Sequence, residues 1–256
     1  MSSQELMHHI HLKKGDVGRY VFLPGDPGRT ERIAAHFDDP KEMAYNREYR
    51  TFTGTLLGEK VSVTSTGIGC PSAAIAVEEL IAVGADTFIR VGTSGGMQPN
   101  IKPGDLAIVN GAIRDEGTSL HYLPIEFPAV ADVDVVLAMR AAAERLGNPY
   151  HVGFSHSKDS FFGQHAPERM PIANRLHDRW KAWVQGGAIC SEMEAAIIFI
   201  LASMYRKRAG GIMLMGINQE SEEPVEPVRD QTELLKTAIE GVKILIEQDQ
   251  AEGANA

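Results

Sequence analysis

Short apolar or β-branched runs alternate along the chain with stretches whose apolar residues recur at helical spacing. YVFLP (20–24), KVSVTST (60–66), TFIRVG (87–92), DLAIVNG (105–111), YHVGFS (150–155) and GIMLMGI (211–217) have the length and composition of strands. PSAAIAVEELIAVGA (71–85) starts on proline and carries glycine near its end, the asymmetry of a helix. DVDVVLAMRAAAERLG (132–147) joins an aspartate cap to a terminal glycine. SEMEAAIIFILASMYRKR (191–208) opens on serine and two glutamates and closes on a cationic cluster, both favourable to a helix dipole. A last helix covers roughly 231–248, and the end of the tail, 251–256, reads as frayed.

The alternation predicts an α/β fold: a single domain over 1–256 with a central mixed, mostly parallel β-sheet flanked by helices. No repeat or low-complexity linker divides it. Ligands of such sheets gather at the carboxyl ends of strands. PGDPGR (24–29), RVGTSGG (90–96) and GINQES (216–221) fall there, and CSEMEAA (190–196) opens a helix after a short strand.

Composition narrows the partners. With 43% hydrophobic and 23% charged residues, a chain of 256 residues can build a sizeable core. A net charge of -9 argues against nucleic acid, whose binding depends on cations. An acidic protein that holds an anion must concentrate its arginines locally. Cys70 and Cys190 have neither disulfide-scaffold nor metal-ligand spacing and fit small buried hydrophobes in a reducing compartment. The longest apolar run, 195–205, is too short to span a bilayer, and no signal-like stretch opens the chain. A cytoplasmic protein with no membrane association is expected.

Several segments carry candidate chemistry, each with an ordinary alternative. In PGDPGR, Gly25 and Gly28 permit unusual backbone angles and Arg29 brings a planar cation: an anion-holding turn, or a strand-to-helix corner with a solvated arginine. Arg90 in an apolar strand needs a partner, either an internal carboxylate or a ligand. The small residues after it would let amides and the Thr93 hydroxyl converge on an anion. YNREYRTF (45–52) reads as a solvated edge strand. Glu192 and Glu194 are dipole complements, or acceptors for a ribose diol. His8, His9 and His11 lack metal-ligand company and read as solvated. The acidic segment 220–230 is a lid or a solvated loop.

Together PGDPGR, NREY (46–49), STGIGCPSAAIAVEEL (65–80), RVGTSGG, GDLAIVNGAIRDEGTSLHY (104–122) and EMEAA (192–196), in this order, closely resemble the nucleoside phosphorylase family, from about His9 to the final helix. EFPAVAD (126–132) and SKDSFFGQH (157–165) resemble its uridine-cleaving rather than its purine-cleaving members. The resemblance implies phosphorolysis of a nucleoside, with uridine and inorganic phosphate as co-substrates and no required cofactor. It implies phosphate binding by Gly25, Arg29, Arg47, Arg90 and Thr93, and ribose binding by His9, Met193, Glu192 and Glu194. Arg47 and His9 would reach in from a neighbouring subunit, so the active sites would be shared in a homo-oligomer, a hexamer built as a trimer of dimers. Phe161, Gln164 and Arg169 would hold the base, with Arg90, Glu194 and Arg169 catalytic. Some relatives hold a structural potassium ion at positions matching Glu48, Ile68 and Ser72.

Purine-cleaving relatives carry an acidic aspartate after the late apolar strand, where this chain has Ile217, Asn218 and Gln219. Protonation of a leaving purine is thereby disfavoured, although a broader or purine specificity, and a non-catalytic nucleoside-binding role, are the alternatives. The chain also departs from familiar uridine-cleaving members. Gln219 replaces an arginine, Ser191 replaces a tyrosine, and Gln164 and Arg169 stand farther apart.

Overall fold

The structure, a computed structural model, describes residues 5–221 and 226–254. In chain order, β1 (Tyr20–Leu23) leads into α1 (Pro27–Ala34), and a hairpin of β2 (Asp38–Asn46) and β3 (Tyr49–Leu56) follows. Next come β4 (Glu59–Thr64), α2 (Cys70–Val83), β5 (Thr87–Gly96), β6 (Leu106–Asp115) and the short β7 (Ala129–Val130). Then α3 (Val133–Leu146), β8 (Tyr150–Lys158), α4 (Phe161–His165) and α5 (Ala173–Gln185) precede β9 (Cys190–Glu192). The chain continues through α6 (Ala195–Met204) and β10 (Arg208–Asn218) to α7 (Thr232–Ala254).

The strands form one mixed sheet. β4, β1, β5 and β10 run parallel side by side, and β3 and β2 extend the β4 edge antiparallel. β6 joins β10 antiparallel and β8 parallel, β8 pairs with β9, and β9 returns to the end of β5. The circuit β5–β10–β6–β8–β9 therefore closes on itself. It brings the ends of β5, β8, β9 and β10 around one region.

Both faces of the central strands are covered, which explains their unbroken apolar runs. Val21 and Leu23 point into the cluster beneath α2 and α6, with Val77, Leu80 and Phe199. Tyr20 and Phe22 point the other way, toward α1, α3 and α7, with Ile33, Met139, Val242 and Leu245. Helix α6 is buried from Ala195 to Ala202, as an all-round apolar helix must be. The caps expected from the sequence are present: Asp132 accepts from the amides of Asp134 and Val135, and Gly84 and Gly147 close their helices with φ of 115° and 70°.

Four local expectations are corrected. The small residues of RVGTSGG do not follow the strand as a loop of converging amides: β5 runs extended to Gly96, paired with β10 on one edge and with β9 at its end. Its glycines provide space, since a Cβ on Gly92 would lie 2.5 Å from Met213 Sδ and one on Gly96 2.9 Å from Ile101 Cγ2. YNREYRTF is likewise not one strand, because Arg47 and Glu48 form the tip between β2 and β3, with Arg47 at φ 55°. Helix α6 starts at Ala195 rather than Ser191, the preceding residues being drawn into β9. Finally, α7 continues to Ala254, through most of the tail read as frayed. Part of the segment read as a lid or a solvated loop, 222–225, lies outside the described residues. Among the described residues no helix is long and apolar enough to cross a membrane.

Candidate active site

The corner after β1 is built by Asp26, whose carboxylate caps α1 by accepting from the Gly28 amide at 2.9 Å, with Pro27 in the first turn. This entry angle carries Arg29 inward. Its side chain is buried, donating from Nε to Gln231 Oε1 and from Nη1 to the Val91 carbonyl, both at 2.9 Å. Gly25 and Gly28 do not use the left-handed region; positive φ falls on other glycines. Gly25 is required for space, because a Cβ there would lie 3.0 Å from the Gly67 carbonyl and 3.6 Å from Arg90 Nη1.

Arg90 projects from β5 beside that corner, buried to 5% exposure. Nη2 donates to Glu194 Oε2 and Nη1 reaches the Leu23 carbonyl at 3.4 Å, while Nε has no hydrogen-bond partner. Both sequence alternatives for Arg90 are thus partly met: it has an internal carboxylate and also an unsatisfied donor. Burial, then repulsion from Arg90, pulls the Arg29 pKa down to about 10. Arg29 stays cationic at neutral pH beside Arg90, whose Nε lies 3.9 Å from Glu192 Oε2 in addition to the contact of Nη2 with Glu194. An anion between the two guanidiniums would offset their mutual repulsion.

The two glutamates have separate tasks. Glu192 Oε2 accepts from the amides of Glu194 and Ala195 at 2.7 and 2.8 Å, and Oε1 accepts from the Ser155 and Ser157 hydroxyls. Glu192 thus complements the start of α6, and it also lines the cavity described next, with Oε2 3.9 Å from Arg90 Nε. Glu194 occupies the cap position of α6 without using its side chain as a cap. Its carboxylate instead accepts from the Gly69 amide at 2.6 Å and from Arg90. Burial raises its pKa, Arg90 opposes the rise, and Glu192 adds to it.

These groups line a cavity of about 990 Å³, with Gly25, Arg29, Arg90, Thr93, Met193 and Glu194 on its walls. Phe161 and His165 of α4 stand at another side, their rings 4.2 Å apart. A smaller cavity of about 420 Å³ adjoins it, shares Lys158 and His165, and contains Gln164 and Gln219. Gln164 donates from Nε2 to Gln219 Oε1, and its Oε1 accepts from Ser191 Oγ at 2.7 Å. Asn218 points elsewhere, donating to the carbonyls of Gln98 and Ile101.

Three candidates are not brought to these walls. Arg169 is exposed and lies over the Phe162 ring at 5.5 Å, lining neither cavity. Arg47 is exposed at the hairpin tip. His9 sits beside that hairpin, its carbonyl accepting from Asn46 Nδ2 at 2.7 Å and its ring bonded to Glu79 at 2.7 Å. The two residues expected to serve a neighbour are therefore adjacent on the surface. Glu48 and Ser72 are joined at 2.8 Å, and Ile68 is 77% exposed nearby. Among the described residues no cluster of three His, Cys, Asp or Glu has metal-holding geometry.

Sequence reasoning passed over Lys158 and His165. Lys158 follows an ordinary strand pattern at 150–158, and only its burial at the strand's end distinguishes it.

Comparison with known proteins places the chain in a family. Residues 19–247 match the family model described as the phosphorylase superfamily. A uridine phosphorylase of Treponema pallidum is 50% identical, covering 96% of this chain and 97% of its own. One from Thermococcus kodakarensis is 46% identical, with 97% and 90% covered. A guanosine phosphorylase of Halorubrum lacusprofundi is 41% identical over 80% of each chain. With the match running through β1, β5, α6 and β10, which build the cavity, the chain belongs to the phosphorylase superfamily.

Proposed function

We propose that the chain catalyses the reversible phosphorolysis of uridine, giving uracil and ribose 1-phosphate. The observation that carries this reading is Arg90, a buried guanidinium with one unsatisfied N–H, joined to Glu194 in the wall of the large cavity. Gly25, Arg29, Arg90 and the Thr93 hydroxyl hold inorganic phosphate, all four residues lining the large cavity. Glu194 accepts from the ribose diol and favours the cationic anomeric carbon, and Met193 packs against the sugar. A phosphate oxygen attacks that carbon as the C–N bond breaks and its electron pair leaves with the base. Glu192 positions Glu194 by capping α6. Phe161 encloses the base and Gln164 reads its edge.

Arg47 and His9 serve the site of a neighbouring subunit, phosphate and ribose 5′-hydroxyl respectively, in a hexamer built as a trimer of dimers. Their surface adjacency supports this. The carboxylate of Glu48, the Ser72 hydroxyl and the Ile68 carbonyl are hard oxygen donors suited to a structural potassium ion. We assign the protein to the cytoplasm, with inorganic phosphate as co-substrate and no redox or nucleotide cofactor.

The guanosine phosphorylase relative favours a second reading, purine or broader specificity. Against it, Asn218 is a neutral amide bound to the 98–101 loop and offers no acid to a leaving purine. The test is a nucleoside panel assayed with and without phosphate. Phosphate-dependent release of uracil from uridine is expected. Preferred release of guanine or hypoxanthine would support the second reading, release independent of phosphate would indicate a hydrolase, and no release would indicate a binding protein.

A further inference from the structure

Among the described residues the buried lysines and arginines are Arg29, Arg90, Arg114 and Lys158, and Lys158 alone lines both cavities. Arg114 is saturated by the Ser119 hydroxyl and by carbonyls of the 119–127 loop. Lys158, only 6% exposed, donates to Ser191 Oγ at 2.8 Å and reaches the Glu192 carbonyl at 3.5 Å. No carboxylate of the described residues lies within ion-pair distance of it. An ammonium has three donors, and burying one without full partners is costly. Burial pushes its pKa down, opposed by the more distant charges of Glu192, Glu194 and Asp115.

Its position suggests what takes the spare donor. Lys158 closes β8 and lines both cavities, between Glu194 on one side and Gln164 and Gln219 on the other. The two glutamines are neutral and satisfy one another, with Ser191 and His165 completing the chain of bonds. They can read a base edge but bring no charge to it. Arg169, the cation expected there, lies outside both cavities.

We propose that Lys158 is a catalytic residue of the base subsite, donating to a carbonyl oxygen of the departing pyrimidine. The inference rests on the phosphorolysis reading above. As the C1′–N1 bond breaks, its electron pair spreads over the ring nitrogens and carbonyl oxygens of the base. The Lys158 hydrogen bond strengthens at that moment, and so lowers the barrier rather than merely tightening binding. Lys158 keeps its proton, and the released anion is protonated by water. Glu194 favours the positive sugar while Lys158 favours the negative base, one on each side of the breaking bond.

The test compares uridine with 5-fluorouridine, whose base leaves as a weaker, more stable anion and depends less on the cation. Lys158→Met preserves volume and removes a buried charge. It should lower kcat/KM for uridine by about 100-fold and for 5-fluorouridine by less than about tenfold, with KM for phosphate little changed. Lys158→Gln, which keeps a neutral donor, should fall between wild type and Lys158→Met, and thermal melts of both variants report that the chain is folded. Equal losses on both nucleosides would mean that Lys158 only positions Ser191 and Gln164, and would overturn the proposal. So would a Lys158→Met enzyme within about twofold of wild type, or a leaving-group-dependent loss in Arg169→Ala instead. A wild-type chain that releases no uracil from uridine would remove the phosphorolysis reading itself, and this inference with it.

Discussion

The Arg90 guanidinium on β5 donates to the Glu194 carboxylate at the start of α6, with side-chain exposures of 6% and 3%. The pair joins the anion side of the cavity to the sugar side. Removing one member leaves the other charged and buried, a loss of about 3–5 kcal/mol in such settings. Arg90→Ala should therefore lose both activity, by about 100-fold or more, and thermal stability. The double variant Arg90→Ala/Glu194→Gln should regain much of the melting temperature without regaining activity. If Arg90→Ala alone melts like wild type, the pair is not the structural link described here.

Phosphate should stabilise the protein through Arg29. The guanidiniums of Arg29 and Arg90 repel one another in a buried setting, and an anion between them relieves the repulsion. At a phosphate concentration of about 100 Kd the stabilisation is about 2.7 kcal/mol, several degrees in Tm. Arg29→Gln should abolish most of this shift while changing the phosphate-free melting temperature far less. An undiminished phosphate shift in the variant would exclude Arg29 from the anion site.

The acid limb of kcat/KM should lie above the ordinary range of a glutamate. Burial and Glu192 raise the Glu194 pKa from 4.5, and the ionised form is the one that favours a cationic sugar. Activity is then lost as pH falls toward the raised value. The stability contribution has the opposite sign: a folded pKa above the unfolded one makes the native state bind more protons, so this site gains stability over the same fall. Glu194→Gln, which has no such ionisation, should lack this limb in its residual rate, whereas ionisation of phosphate is common to both proteins. A wild-type limb at the ordinary glutamate value would contradict the assignment.

Shared sites predict complementation between inactive chains. Arg47→Ala retains its own Arg90, and Arg90→Ala retains an Arg47 to lend. Dissociating and reassembling an equal mixture should restore about a quarter of the sites, read as recovered phosphorolysis. Parent-level activity in the mixture would show that Arg47 serves its own chain or none.

Much of the fold was legible because helices and strands have different periods. The β1 run was recognisable although both its faces are buried, since Val21 and Phe22 enter different cores. The caps at Asp132, Gly84 and Gly147 were readable because they satisfy local backbone geometry. Helix α5 was not anticipated, for none of its residues is fully buried and its apolar pattern has little core to mark. The extension of β5 through Gly96 was hidden too, because glycine before a turn and glycine beneath a crossing strand look alike in one dimension.

The sequence by itself determined the alternation of strands and helices, the presence of Arg29 and Arg90 in segments tied to apolar strands, and the lack of an acid at Asn218. These follow from local propensity, spacing and residue type. Tertiary structure decided which glutamate accepts from the α6 amides and which from Arg90 Nη2, why Gly25 has little room for a side chain, and that Arg169 lines neither cavity while Lys158 lines both. Those outcomes depend on burial and on contacts between residues far apart in the chain: Glu194 meets Arg90 only because α6 starts against β5, and Lys158 meets Ser191 only because β8 and β9 are neighbours. A charge's identity is written in the chain, but its solvation and its partner are properties of the fold.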